Sequence, residues 1–305
     1  MMRVAFVTSR TVDGALDDLD RPFVDRAFTA AGIELVHLAW EDDAVDWFAH
    51  DLVVVRTPWN YVEEEPTFRR FLDRFRGAAT FWNPVELLEW NIDKHYLVDL
   101  AAHGVPVVPT RYVDGSAAID DALGAFDAPE LVVKPTVSAG SRLTGRFASD
   151  DPRAAALIGA ILDDGRVAMV QPCLPAIDDE GEYAVIEIDG VVAHRARKAQ
   201  ILDVGGTFVG GEYRELITPA DADPVLDRVS LLAADACRAI ARQRGWLGVD
   251  DELLYARYDV ARSPDGGAVL IEAELFEPAL FMPAGPATAD ALAAACARRI
   301  DQLRS

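Results

Sequence analysis

Lysine is nearly absent from this chain. Of its 29 basic residues only Lys94, Lys134 and Lys198 are lysines; every other is arginine. Cysteine is scarce as well. Cys173, Cys237 and Cys296 are far apart and form no C-x-x-C pair, which argues against a zinc site or a disulfide framework and fits a reducing cytoplasm. No run of 18 uncharged apolar residues occurs, so no transmembrane helix is expected. The first residues, Met1 to Thr8, read as a strand, too short and without the cleavage pattern of an export signal. Positive charge is in deficit overall. A formal net charge of −22 repels duplex nucleic acid and anionic membranes, so neither is an expected partner. It does not exclude a nucleotide, which a local basic cleft with a divalent metal can hold. Internal repeats and low-complexity segments are missing too.

What is present suits two or three packed subdomains: 305 residues, 51% of them apolar. The first part alternates strand and helix. Apolar runs at 4–8, 34–38, 52–56 and 80–82 flank helical spacing at 21–31 and 66–75, a rhythm that argues for a small parallel sheet. Loops at such strand ends face ligands. Two stand out: Ser9-Arg10-Thr11, and the stretch from Arg56 to Tyr61. The second is equally well read as a rigid proline turn with a packed tryptophan. No G-x-G-x-x-G follows the first strand, which excludes a dinucleotide-binding half.

The character then changes. A helix over 93–103 ends at Gly104, and a strand at 105–109 opens a new unit. The strand ending in Lys134 runs into a loop rich in small residues, 135–145, which includes Ser138 and lacks the G-K-[ST] of a Walker motif. A further short strand, 168–172, carries Gln171. Asp189-Gly190 and Asp265-Gly266 mark two hairpins, 183–197 and 254–277. Long helices cover 224–244 and 288–303. If each hairpin has a two-residue turn, Glu182 faces Arg197 and Ala184 faces Arg195 in the first, and Asp259 faces Glu272 and Arg257 faces Glu274 in the second.

The second hairpin carries the sharpest chemistry. Residues two apart share a strand face, so three carboxylates and one guanidinium meet on one side. Like charges opposed across a ladder are unfavourable without a cation between them. A hard divalent ion, Mg²⁺ bridging nucleotide phosphates, answers that need; a solvated face is the alternative. The lysines suit the same chemistry, since a compact ammonium meets polyphosphate as a point charge. A coding bias explains their scarcity equally well.

Taken together, Lys94, Lys134, the Gln171-Pro-Cys-Leu174 segment, Asp259, Glu272 and Glu274 occur in an order that resembles the ATP-grasp carboxylate–amine ligases, in their glutathione synthetase-like branch. Within it the chain is similar to the cyclo-ligases that close O-ureido-D-serine into cycloserine, on the look of Val53 to Trp59 and of Gly181-Glu-Tyr183. The resemblance implies an α/β chain, α+β in its ATP-binding part: a small parallel N-terminal unit (1–90) and two α+β subdomains (91–173 and 174–305) clamping ATP. It implies that Lys94, Lys134 and Ser138 meet phosphates, that Gln171 and Leu174 meet adenine, and that Glu182 meets ribose. It makes Asp259, Glu272 and Glu274 ligands of one or two Mg²⁺ ions; the last is often Asn in the family. Arg195, Arg197, Lys198 and Arg257 remain as cations for the transferring phosphate, and Ser9, Arg10 and Arg56 as contacts to an amino-acid-like carboxylate substrate. The expected reaction forms an acyl phosphate, which a nitrogen then attacks. The five histidines are expected to be structural. An intermolecular ligase, a small-molecule kinase and a non-catalytic nucleotide-binding regulator are the competing readings, and a homo-oligomer is left open.

Overall fold

The computed structural model describes residues 1–11, 18–140, 142–200, 202, 206–208 and 216–304. The N-terminal unit consists of β1 (Met2–Thr8), α1 (Arg21–Ala30), β2 (Ile33–Ala39), β3 (Leu52–Thr57) and α2 (Glu65–Asp73). β1 lies between β2 and β3 and runs parallel to both. Val4 to Val7 and Leu52 to Val55 are buried throughout, which is why these strands are unbroken apolar runs: a parallel sheet is covered on both faces. Trp40, Trp47, Phe68, Phe71 and Phe75 fill one face. The strand expected at 80–82 is reduced to a single bridge between Phe81 and Val53.

Two helices follow, α3 (Val85–Ile92) and α4 (Tyr96–Ala102). The sequence does not announce α3, because its apolar residues crowd together instead of forming a stripe. The central unit contains β4 (Arg111–Val113), α5 (Ile119–Leu123), β5 (Glu130–Pro135), β6 (Thr144–Ala148), α6 (Pro152–Asp163) and β7 (Ala168–Pro172). Its own core joins Leu131, Val133 and Phe147 to Leu157, Ile158 and Ile161 of α6. The third unit has α7 (Ala176–Glu180), β8 (Glu182–Ile188), β9 (Val191–Lys198), β10 (Thr207–Phe208), β11 (Ile217–Pro219), α8 (Pro224–Gln243), β12 (Tyr255–Arg262), β13 (Ala268–Glu274) and α9 (Thr288–Arg304). Two five-stranded sheets result, ordered β10-β6-β5-β7-β4 and β11-β9-β8-β12-β13; their pairings are antiparallel. Proline opens α8, and Asp223 caps it by accepting from the Val225 and Leu226 amides.

The central sheet thus starts at Arg111, and β10 returns to it from beyond residue 200. Within the segment 91–110, Tyr96, Leu97, Leu100 and Val105 pack instead into the core of the third unit. The reason is a strand edge. β13 is outermost in its sheet, and its free side is satisfied by side chains and loops of this segment. Asn91 donates to the Ala273 carbonyl at 2.8 Å and accepts from the Leu275 amide at 2.7 Å. Tyr96 accepts from the Ala273 amide at 3.0 Å. The Leu270 amide and carbonyl bond Pro106 and Val108 at 2.8 and 3.1 Å. Buried backbone groups left unpaired are costly, so this gripping fixes β13, and with it the acids it carries.

Candidate active site

A cleft of about 980 Å³ opens between the two antiparallel sheets, with the N-terminal unit at one end. Lys94, Lys134, Ser138, Gln171, Leu174, Glu182, Lys198, Arg257, Glu272 and Glu274 line it. Among the described residues no histidine does.

The second hairpin has the expected pairing by an unexpected route. Asp259 faces Glu272, and Arg257 faces Glu274. The link is not a two-residue turn but spans residues 263–267, which alone would set Asp259 opposite Ile271. A bulge next to Asp259 shifts the register by one residue and restores the pairing. The like charges are also already compensated. Asp259, 1% exposed, is held by Arg257 (Nε to Oδ1 2.9 Å, Nη2 to Oδ2 3.0 Å) and by Lys198 Nζ at 2.9 Å. Arg257 Nη2 also donates to Glu274. Glu272 pairs with Lys94 at 3.0 Å, and Lys198 holds Glu182 at 2.9 Å. The cation that the sequence reading supplied as a metal is supplied here by three side chains. Among the described residues no three acidic, histidine or cysteine side chains stand arranged around a metal position. The donor set still fits Mg²⁺ chemically: it is all carboxylate oxygen, and Glu272 and Glu274 each keep 24% of their side chains exposed on one strand face.

Charge is finely divided here. Burial would raise Asp259, but Arg257 and Lys198 hold it down at about 2. Burial also works against Glu272, and Lys94 with Lys134 brings it below the ordinary value. Glu274 is pushed up to about 7 by burial, Glu272 and Asp259, despite Arg257. Glu277 is driven well above the carboxylate range by burial and then by Glu274. Burial opposes the charge of Lys94, yet Glu272 more than offsets this and raises it. Lys134, at the end of β5, is lowered by burial; it has no hydrogen bond or ion pair among the described residues.

At the other end of the cleft, Gln171 donates to Thr110 Oγ1 at 2.9 Å. Lys94 Nζ lies 3.4 Å from the Ser138 carbonyl and 3.5 Å from its hydroxyl. Arg146 of β6 joins Glu130 of β5 to Asp178 of α7, and so ties the central unit to the third.

Several expected residues lie elsewhere. The first hairpin carries a bulge between Ile186 and Glu187, so Glu182 faces Lys198, Tyr183 faces Arg197 and Val185 faces Arg195. Both facings expected from a plain two-residue turn are therefore displaced. Lys198 reaches the cleft; Arg195 instead bonds Asp227 of α8 at 2.8 and 3.0 Å. Arg197 sits 5.1 Å over the Tyr183 ring and donates to the Glu180 carbonyl. Neither lines the cleft. Arg10 turns outward to the Glu41 carbonyl at 3.1 Å. Ser9 is buried with its hydroxyl 3.2 Å from that of Thr11, and Thr11 is the residue of that loop that lines the cleft. Arg56 is 3% exposed, donates to the Pro278 carbonyl at 3.0 Å and lies 3.6 Å from Asp20. It shapes the cleft wall from behind. The stretch from Arg56 to Tyr61 reaches the cleft through Trp59, Asn60 and Tyr61, and the residues that sequence reasoning missed are Asp18, Asp20, Glu277 and Phe281, all on the cleft wall. In so acidic a chain nothing in the pattern sets Asp18 or Glu277 apart. Among the described residues no helix is long and apolar enough to cross a membrane.

Comparison with known proteins agrees with this arrangement. The sequence model of the D-cycloserine synthetase DcsG N-terminal domain matches residues 4–83. The cycloserine biosynthesis protein DcsG of Streptomyces lavendulae is 35% identical over 269 residues, 86% of this chain and 88% of that protein. The crystal structure of D-cycloserine synthetase DcsG superposes with a TM-score of 0.88 at 32% identity, covering 98% of this chain and 99% of the other. A D-alanine–D-alanine ligase from Bacillus anthracis, solved in complex with ATP, matches with a TM-score of 0.66 at 15% identity over 100% and 99% of the two chains; it shows the shared fold. By its length of match and identity, this chain belongs to the D-cycloserine synthetase family of ATP-grasp enzymes, ATP-dependent ligases that form carbon–nitrogen bonds.

Proposed function

We propose that this protein closes O-ureido-D-serine into the cycloserine ring with ATP, releasing ADP and phosphate, with the carbamoyl group lost as carbon dioxide and ammonia. The observation that carries this reading is the kinship over 86% of the chain with a cycloserine biosynthesis protein, together with a cleft that gathers ammonium groups of the kind that suit phosphate and carboxylates of the kind that suit a metal. The substrate is then a small amino-acid-like carboxylate, and the working compartment the cytoplasm, where its three free cysteines stay reduced.

The chain's own residues divide the work by position. Gln171 and Leu174 receive adenine and Glu182 the ribose. Lys134 is a cation without a hydrogen-bond or ion-pair partner among the described residues and receives nucleotide phosphate; Lys94 and the Ser138 loop join it. Lys198 and Arg257 stand beside Asp259 and turn to the transferring phosphate as it arrives. Glu272 and Glu274, completed by Asp259 once its two cations are drawn away, hold magnesium. One or two such ions, when bound, screen the repulsion between the substrate carboxylate and the γ-phosphate. The carboxylate takes the phosphoryl group, and the nitrogen bonded to oxygen in the ureido arm attacks the acyl phosphate to close the ring and expel phosphate. Water then cleaves the carbamoyl group from that nitrogen as carbamate, which breaks down to carbon dioxide and ammonia. The loop carrying Ser138 covers the nucleotide and keeps water from the acyl phosphate.

The test is an ADP-release screen over amino acids of both hands, with O-ureido-D-serine among them and products identified by mass. Ring formation matched one to one by ADP is the expected result. ADP release only with a second amino acid present, or a stable phosphoester product, would replace this reading by an intermolecular ligase or a kinase.

A further inference from the structure

Besides the acids assigned to ribose and metal, the cleft is lined by Asp18, Asp20, Glu63 and Glu277; Asp20 accepts from the Leu280 and Met282 amides, Asp18 accepts from the Asp20 amide, and Glu63 is exposed. Glu277 lies past the end of β13 and lines the cleft together with Trp59 and Tyr61 of the N-terminal unit. Its backbone is fixed from that side: the Trp59 indole donates to the Glu277 carbonyl at 3.1 Å, and Arg56 donates to the next carbonyl, Pro278, at 3.0 Å. Asp259, Glu272 and Glu274 each have a cation of this chain. The Glu277 carboxylate has no hydrogen bond or ion pair among the described residues, and the nearby Lys94 and Arg257 are engaged by those other acids. Its neighbours are aromatic, with the Tyr61 and Phe276 rings edge to face at 4.9 Å. An acid without a paired cation among the described residues, beside aromatic rings on the wall of a binding cleft, suits a cation brought by the ligand.

We propose that Glu277 holds the α-ammonium of the amino-acid substrate. This rests on the ligase reading above and extends it: the acceptor end takes an α-amino acid as its zwitterion. The consequence is chemical. An amino acid with an activated carboxyl group carries a competing nucleophile, its own α-amine, able to attack a second activated molecule. The arriving ammonium supplies the counter-charge that lets the buried Glu277 carboxyl ionise, and the ion pair keeps that nitrogen protonated and without a lone pair. The side-chain nitrogen is then the one free to attack, so Glu277 selects for the ammonium and against reaction through it.

Calorimetry with the intact protein, ADP and Mg²⁺ tests this with two ligands: O-ureido-D-serine, and 3-(ureidooxy)propanoate, the same molecule without the ammonium. Wild type is expected to bind the first about ten- to a hundredfold more tightly. Glu277→Gln, which keeps the shape, is expected to bind the two alike while holding ADP with an affinity changed less than about twofold; Glu277→Asp is expected to retain the preference in part. Retained ADP binding shows that each variant is folded. The proposal is overturned if Glu277→Gln keeps the wild-type preference, if both ligands weaken equally, or if ADP binding falls with them, which would make Glu277 part of the nucleotide and metal site. A wild-type preference without any turnover contradicts the ligase reading alone, and wild type binding neither ligand contradicts both.

Discussion

Lys94 Nζ lies 3.0 Å from the Glu272 carboxylate, so the residue proposed to hold nucleotide phosphate is, without nucleotide, the counter-ion of the acid proposed to hold magnesium. Nucleotide and metal must arrive in ways that compensate each other. ATP alone draws Lys94 away and leaves Glu272 bare; magnesium alone displaces Lys94 into a cleft with no phosphate. Together they satisfy both groups.

Removing either partner is therefore destabilising in the absence of metal. Lys94→Met is expected to cost about 1–2 kcal/mol, less than a fully buried pair because Glu272 is partly exposed. Glu272→Gln is expected to cost less, since its amide still accepts a hydrogen bond. Thermal melts with and without Mg²⁺ check the pairing: magnesium without nucleotide raises the melting temperature of Lys94→Met more than that of wild type. Equal shifts would mean that Lys94 does not guard Glu272.

Lys134 should behave in the opposite way. Its ammonium has no hydrogen bond or ion pair among the described residues, and partial burial holds its pKa below the ordinary 10.5. The folded state thus gives up this proton more readily than the unfolded one. The penalty is complete below the folded pKa and is relieved as pH rises from there towards 10.5. Lys134→Met is expected to lose at least about tenfold in ATP affinity while melting no lower than wild type at pH 7, and to lack that alkaline gain. A sharply lower melting point with unchanged ATP affinity would make Lys134 structural.

Glu274 supplies a second pH signature. Its folded pKa of about 7 lies above the ordinary 4.5. The unfolded chain loses this proton first, so the stability from Glu274 is full below pH 4.5 and is lost as pH rises through about 7. Glu274→Gln is expected to flatten that part of the stability curve measured without metal. Magnesium needs the ionised form, so Mg²⁺ affinity in the wild type should climb through the same range. An affinity independent of pH from 5 to 8 would remove Glu274 from the metal site.

The cations of β9 separate cleanly. Arg195→Ala loses a contact to Asp227 on α8 and is expected to cost about 1 kcal/mol of stability with ATP affinity and turnover kept. Lys198→Ala is expected to abolish turnover. The comparison is made by kcat and by melting temperature on the two variants side by side; a turnover defect in Arg195→Ala equal to that in Lys198→Ala would contradict the placement.

Much of this was legible in the chain and some was not, for definable reasons. The βα rhythm and the two Asp-Gly hairpins are local signals, and Lys134, Gln171 and Glu272 converge because the strands that carry them face one cleft, with Lys94 added from the link between α3 and α4. Register is less legible, because a bulge adds one residue without a mark in the composition. In the second hairpin a longer link and a bulge cancel, so Asp259 faces Glu272 as counted. In the first a bulge stands alone, and the facing partner of Glu182 moves from Arg197 to Lys198. The gripping of β13 by Asn91 and Tyr96 is a contact across some 180 positions that no local pattern encodes. The same holds for Glu277, whose role depends on Trp59 and Tyr61 arriving from another unit.

The most direct test of the account follows one oxygen atom. O-ureido-D-serine labelled with ¹⁸O in its carboxylate is turned over with ATP and Mg²⁺, and the phosphate released is analysed by mass. Transfer through an acyl phosphate predicts ADP and inorganic phosphate carrying one ¹⁸O atom for each ring closed. Unlabelled phosphate, or AMP with pyrophosphate in place of ADP, would contradict it.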